Sequence, residues 1–178
     1  MIKKWLQTSK ELISTEFLWK HFKIGYNSQT SDIKIKFDVL DCPDWINIIA
    51  INEEQKVIMV KQFRSGINDI TLEFPAGGVN LNETSEDAAI RELSEETGSH
   101  INSIKLIGKS NPNPAFLTNT LWTYLSENVQ ISKAQNLDDT EEIEIVLVPI
   151  NKIDEKIKNG EIVHSLTITS WYFFKNKS

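Results

Sequence analysis

Cysteine is nearly absent from this chain of 178 residues: Cys42 stands alone, so no internal disulfide can brace the fold. Long apolar runs are missing too. The longest, around Ile46 to Ile51, is broken by Asn47 and falls far short of the roughly 20 residues that span a bilayer. The opening MIKKWLQTSKELIS carries charge and lacks an apolar signal core, so a cytoplasmic protein with no membrane segment is expected. An excess of positive charge is also lacking. The 19 Lys and Arg against 25 Asp and Glu leave a net charge of −6, the wrong sign for non-specific nucleic-acid binding. A phosphate-bearing ligand would need help from cations. Only three histidines occur, His21, His100 and His164; they form no metal-ligand spacing and read as surface or packing residues.

What is present is globular in balance, with 40% hydrophobic and 25% charged residues and enough Trp and Phe to fill a core. The length suits one domain with an appended arm. Ile33, Ile35, Phe37 and Val39 alternate with polar residues in DIKIKFDVLD, the period of a strand with one buried face. It follows FKIGYN across SQTSD, which predicts a hairpin. WINIIAI and KVIMVKQF, joined by NEEQ, predict a second hairpin. IKLIGK, TLWTYLS and EIEIVLVPI read as later strands, and helices are expected over about 151–159 and 164–174. NPNPAF must be a loop, because Pro112 and Pro114 cannot support an interior ladder. Strands dominate and helices are inserted among them, which is an α+β arrangement.

One segment carries chemistry. After TLEFPAGG, Thr84 is a plausible N-cap with Asp87 three positions on, and Gly98 suits a C-terminal cap, so a helix is predicted near 85–97. Glu92, Glu95 and Glu96 then stand at i, i+3 and i+4 on one face of it. Like charges at that spacing destabilise a helix by a few tenths of a kcal/mol per pair unless a cation relieves them. Oxygen donors without nearby His or Cys favour Mg²⁺, or Mn²⁺ as a substitute, over Zn²⁺, and Mg²⁺ commonly joins carboxylates to substrate phosphates. A generic Glu-rich helix is more often just an exposed acidic face. The surroundings overturn that reading here.

Gly77, Glu83, Arg91, Glu92, Glu95, Glu96 and Gly98 occupy the spacing of the Nudix box, and the chain resembles the Nudix hydrolase superfamily. Ser99 departs from the box, where an apolar residue is usual. The resemblance implies an α/β/α sandwich with a mixed sheet and a loop–helix–loop metal site, plus an N-terminal β arm. It assigns Glu92 and Glu96 as metal ligands, Glu95 as a further ligand or activator, and the Ala76 carbonyl as a completing ligand. Arg91 and Glu83 are expected to form a structural ion pair.

Looser similarity over about residues 37–175 points to the ADP-ribose and nucleoside-diphosphate-sugar pyrophosphatase branch. In that branch Arg64, in VKQFRSG, would face the diphosphate, where its planar fork suits phosphate oxygens. Glu73 is either a site-supporting carboxylate or a surface residue. In DDTEEIEIVLVP the resemblance implies a glutamate that binds metal or activates water, Glu141 first and Glu142 second. The expected reaction is metal-dependent hydrolysis of the diphosphate bond of ADP-ribose or a related sugar, giving a nucleoside monophosphate and a sugar phosphate. The alternatives are hydrolysis of nucleoside triphosphates or other diphosphates, or a non-catalytic nucleotide-binding regulator. Residues 1–42 are expected to form an arm used in a homodimer and residues 43–178 the catalytic domain.

Overall fold

A computed structural model describes residues 1–101 and 103–177; Ser178, where the expected domain ends, lies outside them. The chain divides into two compact units. One holds Met1–Pro43 together with Asn111–Thr120, and the other holds Asp44–Ser110 and the chain from Leu121 onward.

In the first unit, β1 (Leu6–Thr15), β2 (Lys20–Asn27) and β3 (Lys34–Asp41) form an antiparallel sheet in that order. The predicted hairpin is β2–β3, in register from Lys20 opposite Asp41 to Asn27 opposite Lys34. The segment Asn111–Thr120, with both prolines, runs beside the end of β3. The Leu40 N–H donates to Phe116 O at 2.7 Å, and the Thr118 hydroxyl donates to Asp41 Oδ1 at 2.8 Å.

The second unit is built on a mixed sheet. Its strands are β4 (Trp45–Ile51), β5 (Lys56–Arg64), β6 (Asp69–Glu73), β7 (Ala76–Gly78), β9 (Lys105–Ser110), β10 (Leu121–Glu127) and β12 (Ile143–Pro149). The order is β12-β5-β4-β10-β9, with β6 on β5 and β7 on β4. β8 (Ser99–His100) and β11 (Gln130–Ile131) pair separately. β4 runs parallel to β10 from Trp45 opposite Leu121 to Ile51 opposite Glu127. The predicted β4–β5 hairpin exists but pairs only at Ala50–Ile58 and Ile51–Val57. The first half of β4 instead pairs with β7, Asn47 facing Ala76 and Ile46 facing Gly77.

Helices cover both faces of this sheet, and the alternation within β4 shows how. Ile46, Ile48 and Ala50 pack with Ala88, Ala89 and Leu93 of α1 (Ser85–Thr97). Ile49 and Ile51 belong to a second cluster with Ile153 of α2 (Ile153–Lys158) and Trp171 of α3 (Ser165–Lys175). A strand buried on both sides must read as a nearly continuous apolar run, as WINIIAI does. Its one polar member, Asn47, faces α3 and donates from Nδ2 to Ser170 Oγ at 3.0 Å. A three-residue 3₁₀ turn, Ile150–Lys152, precedes α2. Among the described residues no helix is long and apolar enough to cross a membrane.

Candidate active site

α1 begins and ends as its sequence predicts. Thr84 adopts an extended backbone, φ −81° and ψ 154°, and its hydroxyl oxygen accepts the Asp87 N–H at 3.1 Å. Gly98 closes the helix at φ 64°, donating its N–H to Ser94 O at 2.9 Å. A Cβ there would stand 2.1 Å from Lys133 O, so both the left-handed backbone and the close approach require glycine. Ala88, Ala89 and Leu93 are fully buried; burial of the leucine alone stabilises by about 2 kcal/mol. That apolar face fixes the rotation of the helix and sets where its acids lie. Ser99 is buried as well, and its hydroxyl meets that of Thr97 at 2.7 Å, which satisfies a polar side chain at a usually apolar position.

Arg91 organises the loop before the helix. Nε donates to Glu83 Oε1 at 2.8 Å, and Nη2 donates to Glu83 Oε2 and Gly78 O at 3.0 Å each. Nη1 donates to Glu92 Oε1 at 2.8 Å and to Glu95 Oε2 at 3.0 Å. All five guanidinium N–H groups are therefore used. The Glu83–Arg91 pair expected from the sequence is present, and it extends to two of the three helix acids. Glu96 is 2% exposed, and its Oε2 accepts the Ala76 N–H at 3.1 Å. At position 77 a Cβ would fall 1.9 Å from Glu92 Oε1, so any larger residue would displace that side chain.

Arg64 ends β5 and pairs in two-pronged fashion with Glu73 at the end of β6, Nε to Oε1 at 2.8 Å and Nη2 to Oε2 at 2.7 Å. Glu73 is wholly buried, not a surface residue, and also takes the Thr71 hydroxyl and a contact at 3.0 Å from His164 Nδ1.

The loop before β12 is stitched to α1. Gln135 Nε2 donates to Glu96 O at 2.6 Å and to Ile143 O at 3.1 Å, while the Asn136 N–H donates to Glu95 O at 2.8 Å. Glu141 closes a turn with Asp138: its N–H donates to Asp138 O at 2.9 Å and its Oε2 accepts the Asp138 N–H at 3.2 Å. Glu142 is exposed.

Burial pushes the Glu92 carboxyl up to about 7; Arg91 opposes the shift, while the charges of Glu95 and Glu141 add to it. Burial, reinforced by the charges of Glu92 and Glu141, raises Glu96 well above the usual carboxylate range. The field of Glu141 is felt at Arg64 as well. At Glu73 burial acts upward, yet the hydrogen bonds from Arg64 and His164 overcome it and bring the carboxyl down to about 2.

A NUDIX domain matches residues 44–167. The chain belongs to the Nudix family. It is 29% identical over 133 residues to an ADP-ribose pyrophosphatase of Bacillus subtilis (strain 168), covering 74% of this chain and 72% of that one. It is 39% identical over 106 residues to an ADP-sugar pyrophosphatase of Mus musculus, covering 53% and 48%. The crystal structure of an ADP compounds hydrolase superposes with a TM-score of 0.86 over 98% of this chain and 94% of that chain. At 15% identity that likeness speaks for the fold, a mixed sheet between helices as expected.

In this Nudix hydrolase the acids of the box do not stand as a ready-made cage. Among the described residues no three His, Cys, Asp or Glu side chains converge as a metal site, and Arg91 engages Glu92 and Glu95. The donor set nevertheless fits a hard divalent cation. Glu92, half-buried, and Glu96, buried, offer carboxyl oxygens under mutual repulsion, a burden that a bound cation would relieve. The Glu92 carboxylate also rests in the space left open by Gly77. Arg64 and Glu141 reach the same electrostatic neighbourhood. Sequence reasoning missed His164, read as a surface or packing residue, and Gln135, whose amide ties the Glu141 loop to α1. A histidine at the very start of a predicted helix was the available signal.

Proposed function

We propose that this Nudix hydrolase cleaves the diphosphate bond of ADP-ribose or a related nucleoside-diphosphate sugar, releasing a nucleoside monophosphate and a sugar phosphate. The observation that carries the reading is the acid face of α1, where Arg91 engages Glu92 and Glu95 and Glu96 accepts the Ala76 N–H. The names of the two pyrophosphatase relatives support the substrate class.

Glu92, Glu95, Glu96 and the Ala76 carbonyl are the groups that would hold Mg²⁺, with Mn²⁺ as a substitute. When bound, such an ion supplies positive charge against the diphosphate oxygens and lowers the pKa of water. The chain's own residues do the rest. Arg64 keeps Nη1 outside its pairing with Glu73, and this nitrogen would donate to the phosphoryl group as charge builds there. Glu141 would take the proton from the attacking water, and its field at Glu92 and Glu96 favours it over Glu142.

Residues 43–178 form the catalytic domain in this reading, and residues 1–42 an arm that joins two copies. Leu12, Ile13, Ile35 and Phe37 are exposed on that arm's sheet, a composition suited to a covered face. The lone Cys42 suits a cytoplasmic enzyme.

The test is a panel of ADP-ribose, nucleotide sugars and nucleoside triphosphates, with Mg²⁺, in ¹⁸O-labelled water. ADP-ribose or a nucleotide sugar is expected to turn over fastest, with the label entering the nucleoside monophosphate. Dominant release of inorganic pyrophosphate from triphosphates would overturn the substrate assignment. Nucleotide binding without hydrolysis would overturn the enzymatic one.

A further inference from the structure

Glu73 is an anomaly by ordinary rules, since a carboxylate at 0% exposure is strongly disfavoured unless its oxygens are paired. Four donors reach it. Arg64 supplies two, Thr71 one, and His164 Nδ1 the fourth, at 3.0 Å from Oε2. A carboxylate only accepts, so Nδ1 must carry its proton for this contact to hold. The same nitrogen lies 3.0 Å from the hydroxyl oxygen of buried Thr167, which keeps the ring from turning away. His164 occupies the N-cap position of α3 but makes no side-chain cap bond to that helix. Its Nδ1 edge is shared between Thr167 and the acid of β6.

The consequence runs through Arg64. Its side chain is 40% exposed, and Glu73 engages Nε and Nη2; two-pronged pairing fixes the plane of the fork. The direction in which Nη1 can donate is therefore set by the orientation of the Glu73 carboxylate. His164 helps to set that orientation through its contact with Oε2. We propose that His164 is a positioning residue for diphosphate hydrolysis: through Glu73 it holds Arg64 in the orientation that serves the substrate. The proposal rests on the phosphate role assigned to Arg64 above.

Kinetics on ADP-ribose with Mg²⁺, measured beside thermal stability, separate this from a role in anchoring α3. His164→Ala is expected to lower kcat/KM about tenfold, the scale of one hydrogen bond to a charged group. His164→Asn, whose amide can donate from near the Nδ1 position, should recover most of it. His164→Gln, with its amide near the Nε2 position, should not. Combining His164→Ala with Arg64→Ala should be no worse than Arg64→Ala alone, because one effect passes through the other. If the Ala variant does not fold, the Gln variant takes its place in the cycle.

Losses that multiply in the double variant would overturn the proposal. So would equal behaviour of Asn and Gln, or a lower melting temperature at unchanged kcat/KM. Full efficiency in Arg64→Ala would remove the role of Arg64 itself, and this proposal with it. An impaired Arg64→Ala beside an unimpaired His164→Ala would remove only the part assigned to His164.

Discussion

Replacing Glu73 by Gln should turn a pH-dependent part of the stability into a constant. The folded protein holds this carboxyl at about 2 against an ordinary 4.5, and each pKa unit is worth about 1.36 kcal/mol. The ionised acid therefore contributes about 3 kcal/mol, trimmed where the half-open Arg64 lets solvent screen the pair. The folded pKa is depressed, so this contribution is fully present above about pH 4.5 and disappears as the pH falls through 4.5 to 2. Urea unfolding of the native and Glu73→Gln proteins from pH 7 to 3 measures it. The gap between them should be widest near neutrality, about 6–12 °C if read as a melting temperature, and should shrink steadily below pH 5. A gap that stays constant down to pH 3 would refute the reasoning, because it would mean that the substitution disturbed packing rather than a stabilised charge.

Glu96→Gln should leave the fold intact, abolish stabilisation by added Mg²⁺ and lower turnover by at least about 10²-fold; normal turnover at saturating Mg²⁺ would take Glu96 out of the metal site. Glu141→Gln should cost about 10²–10⁴-fold and Glu142→Gln little, and two full-rate variants in the same steady-state assay would put the base elsewhere. Gly77→Ala would set a methyl 1.9 Å from Glu92 Oε1; since that atom ends a flexible side chain, the protein should fold while Mg²⁺ affinity measured by calorimetry falls, and unchanged affinity would contradict the role of Glu92.

The helix of the box was legible because its determinants are local. Thr84, Asp87 and Gly98 cap it by short-range rules, and the spacing of its acids follows from 3.6 residues per turn. The double-sided burial of β4 was likewise visible in WINIIAI. The short β4–β5 hairpin was not legible, since Ala76-Gly77-Gly78 has no strand-like composition and pairs with β4 only because the loop returns there. Glu73 stayed ambiguous for a related reason: a buried acid is recognisable only by its partners, and His164 joins it from a distant part of the chain. Choosing between Glu141 and Glu142 depended on the loop's path, which Gln135 helps to fix through two carbonyls far apart in sequence.

The parallel pairing of β4 with β10 has a consequence for how the chain acquires its shape. β4 emerges early from the ribosome with Ile46, Ile48 and Ile49 all destined for full burial, yet its neighbour along one edge begins only at Leu121. A short hairpin with β5 and the brief β7 contact are all that is near in sequence. Closing so long a loop costs entropy before the ladder can repay it, and topologies of this kind fold slowly. During synthesis one edge of the enzyme's most apolar strand must wait for its partner, and an open apolar edge of this kind is exposed to aggregation.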